Sequence, residues 1–599
     1  MKKALSLILA ALMLASALTG CTTLHKLETG EYDKGAIIDM YLTTECYNFD
    51  PQQSMIDDSM LKIMSLIFEG LTTIDENGKW KKSGMKNYKV DKDTDEEFSI
   101  LVNLNSTKWS DGRTVQAADY VYAWKRILEP DNACEAAALL FDIKNARKIK
   151  MGDATVDDLG VAAVDIYTLE IQFEEKINLD LFFENCSSIA LVPLREDVIT
   201  RYGKNDWSKK STSIVTNGPF TPKELVYGDT LRLERSSYYY LDSDKEEPLD
   251  TYVIPYRLLT KYKNGDASAQ FDALNAGAIF YDGELPLDKR AEYASSAVVT
   301  DMLVTHTYVF NVTNPLFAKP EVRRALSMAI DRNQIVNIVT FAKPATGYLP
   351  TKTFDAAKGT SFREAGGDLI SASADVAGAK SLLQSAGVTS GAFNLTVRNN
   401  AVDIAIAEYV KDVWNGLGFN VTIKTVKPTL IPNPEGTGAV TYADTFAEQY
   451  DAGDFDVIAI DATMLSTDAF QPLAQFAVSY SGNGVDMDSE TYDLYGHVSG
   501  YASEDYNALI ETAYAEKDRS ARSAILHQAE EMLMKDMPVI PLIFLQDAYL
   551  SSDVLSGIKT NYYGTREFKK TKLKDYWDYK QATASEEQAA VEAAVENVG

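Results

Sequence analysis

Cysteine, histidine and positive charge are all scarce in this chain. Of its 599 residues, four are cysteine and four histidine, and 58 Lys and Arg stand against 87 Asp and Glu, a net charge of −29. The cysteines, Cys21, Cys46, Cys134 and Cys186, contain no Cys-x-x-Cys, so neither a redox dithiol nor a zinc knuckle is indicated. His25, His306, His497 and His527 sit at no metal-ligand spacing, and H-E-x-x-H, G-x-S-x-G and G-x-x-x-x-G-K-[ST] are all missing. Asp91-Lys92-Asp93-Thr94-Asp95 begins like a calcium loop but has Glu96 where glycine is obligatory and Val102 where a bidentate Glu belongs, so it reads as a solvated acidic turn. Carboxylates are abundant enough to leave a glycosidase pair open, yet no motif points to catalysis, and we read the chain as a binder, not an enzyme, with no cofactor and no metal. The acidic balance repels nucleic acid and anionic headgroups. Long apolar runs are missing too, with one exception at the N-terminus.

That exception carries an address. Lys2 and Lys3 precede an apolar stretch over residues 4–17, broken only by Ser6 and Ser16, and Leu18-Thr19-Gly20-Cys21 closes it. The stretch is shorter than the roughly 20 residues a membrane-spanning helix needs, and its charge, length and small-residue ending describe a secretory signal. The ending resembles a bacterial lipobox, in which Cys21 would be the lipidation site and the mature N-terminus; an ordinary signal with a chance cysteine, or an uncleaved anchor, are the alternatives. The expectation is a signal peptide over 1–20, a lipidated tether over 21–35 and an extracytoplasmic protein lipid-anchored to the bacterial cell membrane. Loss of Lys2 and Lys3 deepens the net charge to −31.

The body that follows is 46% apolar and 10% aromatic over the full sequence, which suits a packed globular chain. A strand is expected over 36–43, a turn at Asn48-Phe49-Asp50-Pro51, a helix over 59–68 stopped near Gly70, and a strand over 98–104. Residues 116–128 read as a helix with Ala117, Val121, Trp124 and Leu128 on one face, ended by Pro130. Gln116 caps poorly, so Thr114 or another start is expected to serve. Pro320 opens a further helix with Glu321 in its first turn and Val322, Ala325, Leu326, Ala329 and Ile330 as its buried stripe. The strongest fold signal is strand 393–397, helix 402–415, a stop at Gly418 and strand 419–426. This βαβ unit implies a parallel sheet with helices on its faces, joined by a buried strand over 455–460. Ligands of open sheets lie beyond the carboxyl ends of strands, which directs attention to the residues after Ile460. Residues 579–599 are expected to form a flexible or marginally helical tail, rich in Ala, Glu and Val and without aromatics from Gln581 on.

Six blocks then carry a family resemblance. They are Asn48-Phe49-Asp50-Pro51; Ile67-Phe68-Glu69-Gly70-Leu71-Thr72; Trp109-Ser110-Asp111-Gly112 through Ala118-Asp119-Tyr120-Val121-Tyr122-Ala123-Trp124-Lys125-Arg126-Ile127-Leu128; Asn217-Gly218-Pro219-Phe220; Val322-Arg323-Arg324-Ala325-Leu326-Ser327-Met328-Ala329-Ile330-Asp331; and Pro538-Val539-Ile540-Pro541-Leu542. In this order, behind a lipobox, they resemble the solute-binding proteins of the peptide and nickel class of ABC importers, whose best-known members bind oligopeptides. The blocks themselves read as scaffold. The resemblance implies a two-lobed α/β periplasmic-binding-protein-like fold, of the large cluster with an extra subdomain, enclosing the ligand between lobes. It implies a first-lobe core at 36–76, 214–305 and 541–578, an added subdomain at 77–213 and a second lobe at 306–540. The implied activity is capture of an oligopeptide by hinge closure and delivery, as a monomer, to ABC permease subunits served by separate ATPase subunits. A carbohydrate-binding relative on the same fold, or a surface peptide chaperone or sensor, are the alternatives. If Cys21 is lipidated, Cys134 and Cys186 share a lobe and are the nearer candidates for a disulfide, the alternative being buried free thiols.

The resemblance also suggests where ligand would lie. Family members hold an extended peptide along the strand–loop after Gly453-Asp454-Phe455-Asp456-Val457, here residues 460–468. A carboxylate there commonly pairs with the peptide ammonium, but the corresponding residue is Leu465, and Asp461-Ala462 stand where Gly-Trp is usual. Candidate ligand contacts are therefore Asp461, Ala462, Thr463, Leu465 and Asp468, with Met55, Ile56, Asp57 and Asp58 from the stretch after the Asp-Pro turn. Asp57 and Asp58 also suit a helix N-terminus, and Asp468 suits a helix cap. Tyrosines number 33, including Tyr238-Tyr239-Tyr240 and Tyr562-Tyr563, and serve peptide grooves, sugar stacking or ordinary cores alike.

Overall fold

An 11-stranded sheet runs through both lobes. The computed structural model describes residues 38–41, 48–94, 96–226, 230–239, 256–261, 268–277, 279–357, 359–426, 429–431, 441–443, 445–486, 488–489, 493–553, 555–569 and 571–573. The signal segment, the tether, Cys21, Cys46, Tyr240 and the tail 579–599 lie outside them. Two strands of 13 residues, Val298–Phe310 and Val539–Ser551, form the middle of the sheet and pair antiparallel along their length. Towards one edge the order continues through Tyr281–Asp282, Ile38–Tyr41, Tyr256–Lys261, Thr230–Arg235 and Phe220–Val226; towards the other, through Val457–Thr463, Gly391–Arg398 and Phe419–Val426. These two long strands cross between two α/β lobes, and the expected lobe borders at 305/306 and 540/541 fall inside them. Pro541, which cannot donate to the ladder, sits where the register shifts between His306 and Thr307, a place a strand tolerates proline.

The βαβ unit is present as read. Gly391–Arg398 and Phe419–Val426 pair in parallel in unbroken register, connected by the helix Ala401–Asn415. Gly418 takes φ +106°, and a side chain there would meet the Thr389 carbonyl at 2.6 Å. The next strand runs to Thr463, past the expected end at Ile460, because its antiparallel partner strand extends from Phe310 back to Val304 and holds residues 461–463 in the sheet. Asp461, Ala462 and Thr463 are therefore strand residues, not members of a loop.

The helix Pro320–Met328 starts on its proline, and Val322, Ala325, Leu326, Ala329 and Ile330 are each buried to 1% exposure or less. Strand Phe98–Leu104 lies where expected, in a separate four-stranded antiparallel sheet with Met85–Asp93, Thr168–Phe173 and Val161–Asp165. The acidic stretch read as a turn begins inside Met85–Asp93, and the turn itself closes from the Thr94 N–H to the Glu97 carbonyl. Helix Ala117–Leu128 does start after Gln116, which forms a reciprocal capping box with Asp119. Asp119 reaches back to accept from the Gln116 N–H at 2.9 Å while also accepting from Trp109 Nε1. Cys134 and Cys186 are both free and buried, so the disulfide considered between them is not formed. Among the described residues no helix is long and apolar enough to cross a membrane.

Candidate ligand site

The helix Asp58–Ile67 buries its apolar residues in the core and brings its first turn to the junction of the lobes. Asp57 caps it, accepting from the Ser59 N–H at 2.8 Å, and Asp58 lies in the first turn, as the helix dipole favours. Opposite them, Asp461 stands on Val457–Thr463. Carboxylate oxygens of Asp57, Asp58 and Asp461 lie within 4.8 Å of one another. All three line a cavity of about 630 Å³, which Asp403, His306 and Asp547 also line. Leu285, Val339, Phe341 and Leu545 add an apolar wall, with Leu285 and Phe341 packed in a small cluster of their own.

Asp57, Asp58, Asp461 and Asp547 each meet a basic side chain. Arg398 Nε lies 3.2 Å from Asp57, with its guanidinium 4.3 Å from the centre of the Phe446 ring. Lys62 bridges Asp58 at 2.5 Å and Asp547 at 3.3 Å, and Asp547 is in turn held by Arg566. His306 faces Asp461 in register across the two strands, with Nδ1 2.7 Å from Oδ1. Burial pulls the His306 pKa down, but the hydrogen bond and charge of Asp461 outweigh it, with Asp403 and Asp58 helping, and the imidazole is held above its usual value. Burial pushes the Asp403 carboxyl up to about 7; Asp461 and Asp57 add to the rise, while His306 and Arg398 oppose it.

The candidate residues separate into three groups. Asp57, Asp58 and Asp461 line the cavity. Met55, Ile56, Ala462 and Thr463 are buried and clasp the lobes together: the Asp461 N–H donates to the Ile56 carbonyl at 3.1 Å and the Thr463 N–H to the Met55 carbonyl at 3.3 Å. Ser54 Oγ donates to Asp451 at 2.8 Å beside them. Beyond Ile458 the strand has left its parallel neighbour, so its second edge is open to this segment. Leu465 and Asp468 lie elsewhere. Leu465 is 3% exposed and borders a smaller cavity of about 90 Å³ with Leu61, Glu69 and Tyr563. Asp468 is buried, accepts both guanidinium prongs of Arg522 at 2.9 Å and accepts from the Phe470 N–H. Burial acts to raise its carboxyl, and Arg522 outweighs burial and holds it below the usual carboxylate range. Its role is structural in this arrangement.

His306 and Asp403 were not anticipated from sequence. Asp403 sits three residues after the cap Asn400 and reads as an ordinary first-turn acid. His306 faces its partner across 155 residues of sequence, and nothing local marks the pairing.

Two lobes joined by paired crossing strands, with a charged cavity at their junction, define a two-lobed solute-binding protein. The chain belongs to the bacterial extracellular solute-binding proteins, family 5, whose profile matches residues 92–484. It is 28% identical over 564 residues to the dipeptide-binding protein DppE of Bacillus subtilis (strain 168), covering 92% of this chain and 95% of the relative. The structure is similar to Listeria monocytogenes OppA bound to peptide, with TM-score 0.73 at 21% identity over 90% of this chain and 99% of that one. Against the Escherichia coli murein tripeptide-binding protein MppA, one structure gives TM-score 0.70 at 22% identity, covering 90% of this chain and 99% of that one. Its unliganded open form gives only 0.52 at 23% identity, covering 90% and 98%.

Proposed function

We propose that the chain captures an oligopeptide between its lobes and delivers it to an ABC importer. The observation that carries this reading is the cavity at the junction of the lobes, with carboxylates on one wall and apolar side chains on another. Such a lining suits a free peptide ammonium followed by apolar side chains. Relatives named for dipeptide and oligopeptide binding support the choice of ligand. Asp57, Asp58 and Asp461 are the proposed ligand contacts. The ligand stabilises closure because it touches both lobes only in the closed arrangement. The first-lobe core is taken as 36–76, 214–305 and 541–578, the added subdomain as 77–213 and the second lobe as 306–540. The protein acts as a monomer outside the cytoplasm, held to the membrane through a lipid on Cys21 after removal of residues 1–20.

Isothermal titration with a pool of free tripeptides, and separately with a pool of oligosaccharides, tests the reading. Heat with the peptides alone is expected. Heat with the oligosaccharides alone would assign the cavity to carbohydrate instead.

A further inference from the structure

Asp461, proposed to face the ligand, is backed by a buried histidine. His306 is 2% exposed, and its Nδ1 is committed to Asp461. Its Nε2 is buried without a hydrogen-bond partner, as is the hydroxyl of Tyr308 two residues along the strand, 6.0 Å away between rings. Asp403, 6% exposed in the first turn of Ala401–Asn415, lines the same cavity as His306 and Asp461.

We propose that Asp461, His306 and Asp403 form one proton-sharing unit. In it, His306 and Asp403 are positioning residues that set the charge Asp461 presents to a ligand cation. The His306–Asp461 pair stands on its hydrogen bond, and Asp403 joins it through the cavity wall they share and the charge influence between them; the positioning role rests on the reading of Asp461 as a ligand contact.

The surroundings favour a proton on the imidazole. Asp461 is hydrogen-bonded to it from one strand, while Asp403 on a helix and Asp57 and Asp58 at the start of another helix line the same cavity. Ile543, its register mate on Val539–Ser551, carries no charge. Of the nearby cations, Arg398 is engaged with Asp57, and Lys62 with Asp58 and Asp547. A protonated His306 therefore offsets part of this negative charge, as Arg398 does for Asp403. Burial raises the Asp403 carboxyl towards neutrality, so it exchanges protons in the same range. When the shared proton leaves, Asp461 and Asp403 present uncompensated negative charge to the cavity and a cation binds better. By reciprocity, a cation that binds expels the proton. Free-amine ligand should thus bind more tightly as pH rises from 6 to 7.5. That window lies below the α-amino range of about 7.7–8.0, which separates the protein's titration from the ligand's.

Imidazole nitrogen NMR on the ligand-free mature protein from pH 5 to 9 tests the shared proton directly. One histidine, absent from the His306→Gln spectrum, should lose its charge above the ordinary value of about 6.5, and Asp403→Asn should move that midpoint to lower pH. A His306 neutral throughout, or one titrating at the ordinary value regardless of Asp403→Asn, overturns the unit. Calorimetry with a free-amine tripeptide pool at pH 6.0 and 7.5, in two buffers of different ionisation heat, tests the positioning role. The wild type should release up to one proton, with affinity rising by up to about tenfold per pH unit, the limit for one linked proton. His306→Gln should bind with a flat pH profile. An unchanged profile in that variant overturns the role. If the imidazole titrates as described and the tripeptides give no heat at any pH, the positioning role and the peptide reading both fall while the proton-sharing unit stands.

Discussion

Arg147 and Glu511 pair across 364 residues of sequence. Their paired contacts measure 2.8 Å from Nη1 to Oε1 and 2.6 Å from Nη2 to Oε2, and the guanidinium lies 4.5 Å from the centre of the Tyr480 ring. Tyr480 itself donates to Glu511 Oε2 at 2.8 Å. Glu511 is half exposed, so solvent discounts the pair, but two-pronged geometry and the ring keep it above an ordinary surface ion pair. Arg147→Ala should loosen closure by about 1 kcal/mol, weakening ligand binding roughly fivefold while leaving the melting temperature nearly unchanged. Titration and calorimetry on the variant check both parts.

Asp468 and Asp461 should respond differently to the same change. Asp468→Asn leaves Arg522 buried without its partner, and breaking such a pair costs about 3–5 kcal/mol of folding stability, readable in urea unfolding. Because Arg522 lowers the Asp468 pKa in the folded state, its contribution is fully present above the unfolded carboxylate value of about 3.9 and disappears as pH falls through the lower folded value. The Asp468→Asn deficit should therefore shrink in acid. Asp461→Asn should keep most of the stability and instead weaken free-amine peptide binding by about 2–5 kcal/mol. Wild-type affinity in a folded Asp461→Asn protein would move the anchor to Asp57 or Asp58.

Burial pushes the Cys134 thiol up to about 11 and raises that of Cys186 further. Neither should react with iodoacetamide in the native protein at pH 8, and both should react in denaturant without prior reduction. Peptide mapping by mass spectrometry reads this out. A Cys134–Cys186 crosslink in the mapped peptides would contradict the free-thiol arrangement.

Cys21→Ser tests the anchor. If Cys21 carries the proposed lipid, the variant should appear in the medium as a folded, ligand-competent protein. Retention of the variant in the membrane fraction would mean that residues 1–20 act as an uncleaved anchor.

Where periodicity is local, the sequence was a sufficient guide. The switch from alternating to helical spacing across 391–426 gave the βαβ unit, and the proline-started helix at Pro320 gave a stripe that is buried at every expected position. Pairings between distant segments were not legible. The two crossing strands meet across more than 200 residues, and only the partner strand shows why Val457–Thr463 overruns Ile460. The same limit governs the site. Asp461 was found because it follows a buried strand, whereas His306, which fixes its environment, has no local signature. Leu465 and Asp468 lie close to Asp461 in sequence, but the chain turns them towards the smaller cavity and the Arg522 pair.

Small-angle scattering addresses the claim that ligand closes the lobes. Mature protein should be stripped of ligand by unfolding and refolding, then measured alone and with a saturating tripeptide pool. Ligand should reduce the radius of gyration towards that of the closed structure, leave circular dichroism unchanged, and raise stability by about 2.7 kcal/mol at a hundredfold excess over Kd. An identical scattering profile with and without bound peptide would contradict capture by lobe closure.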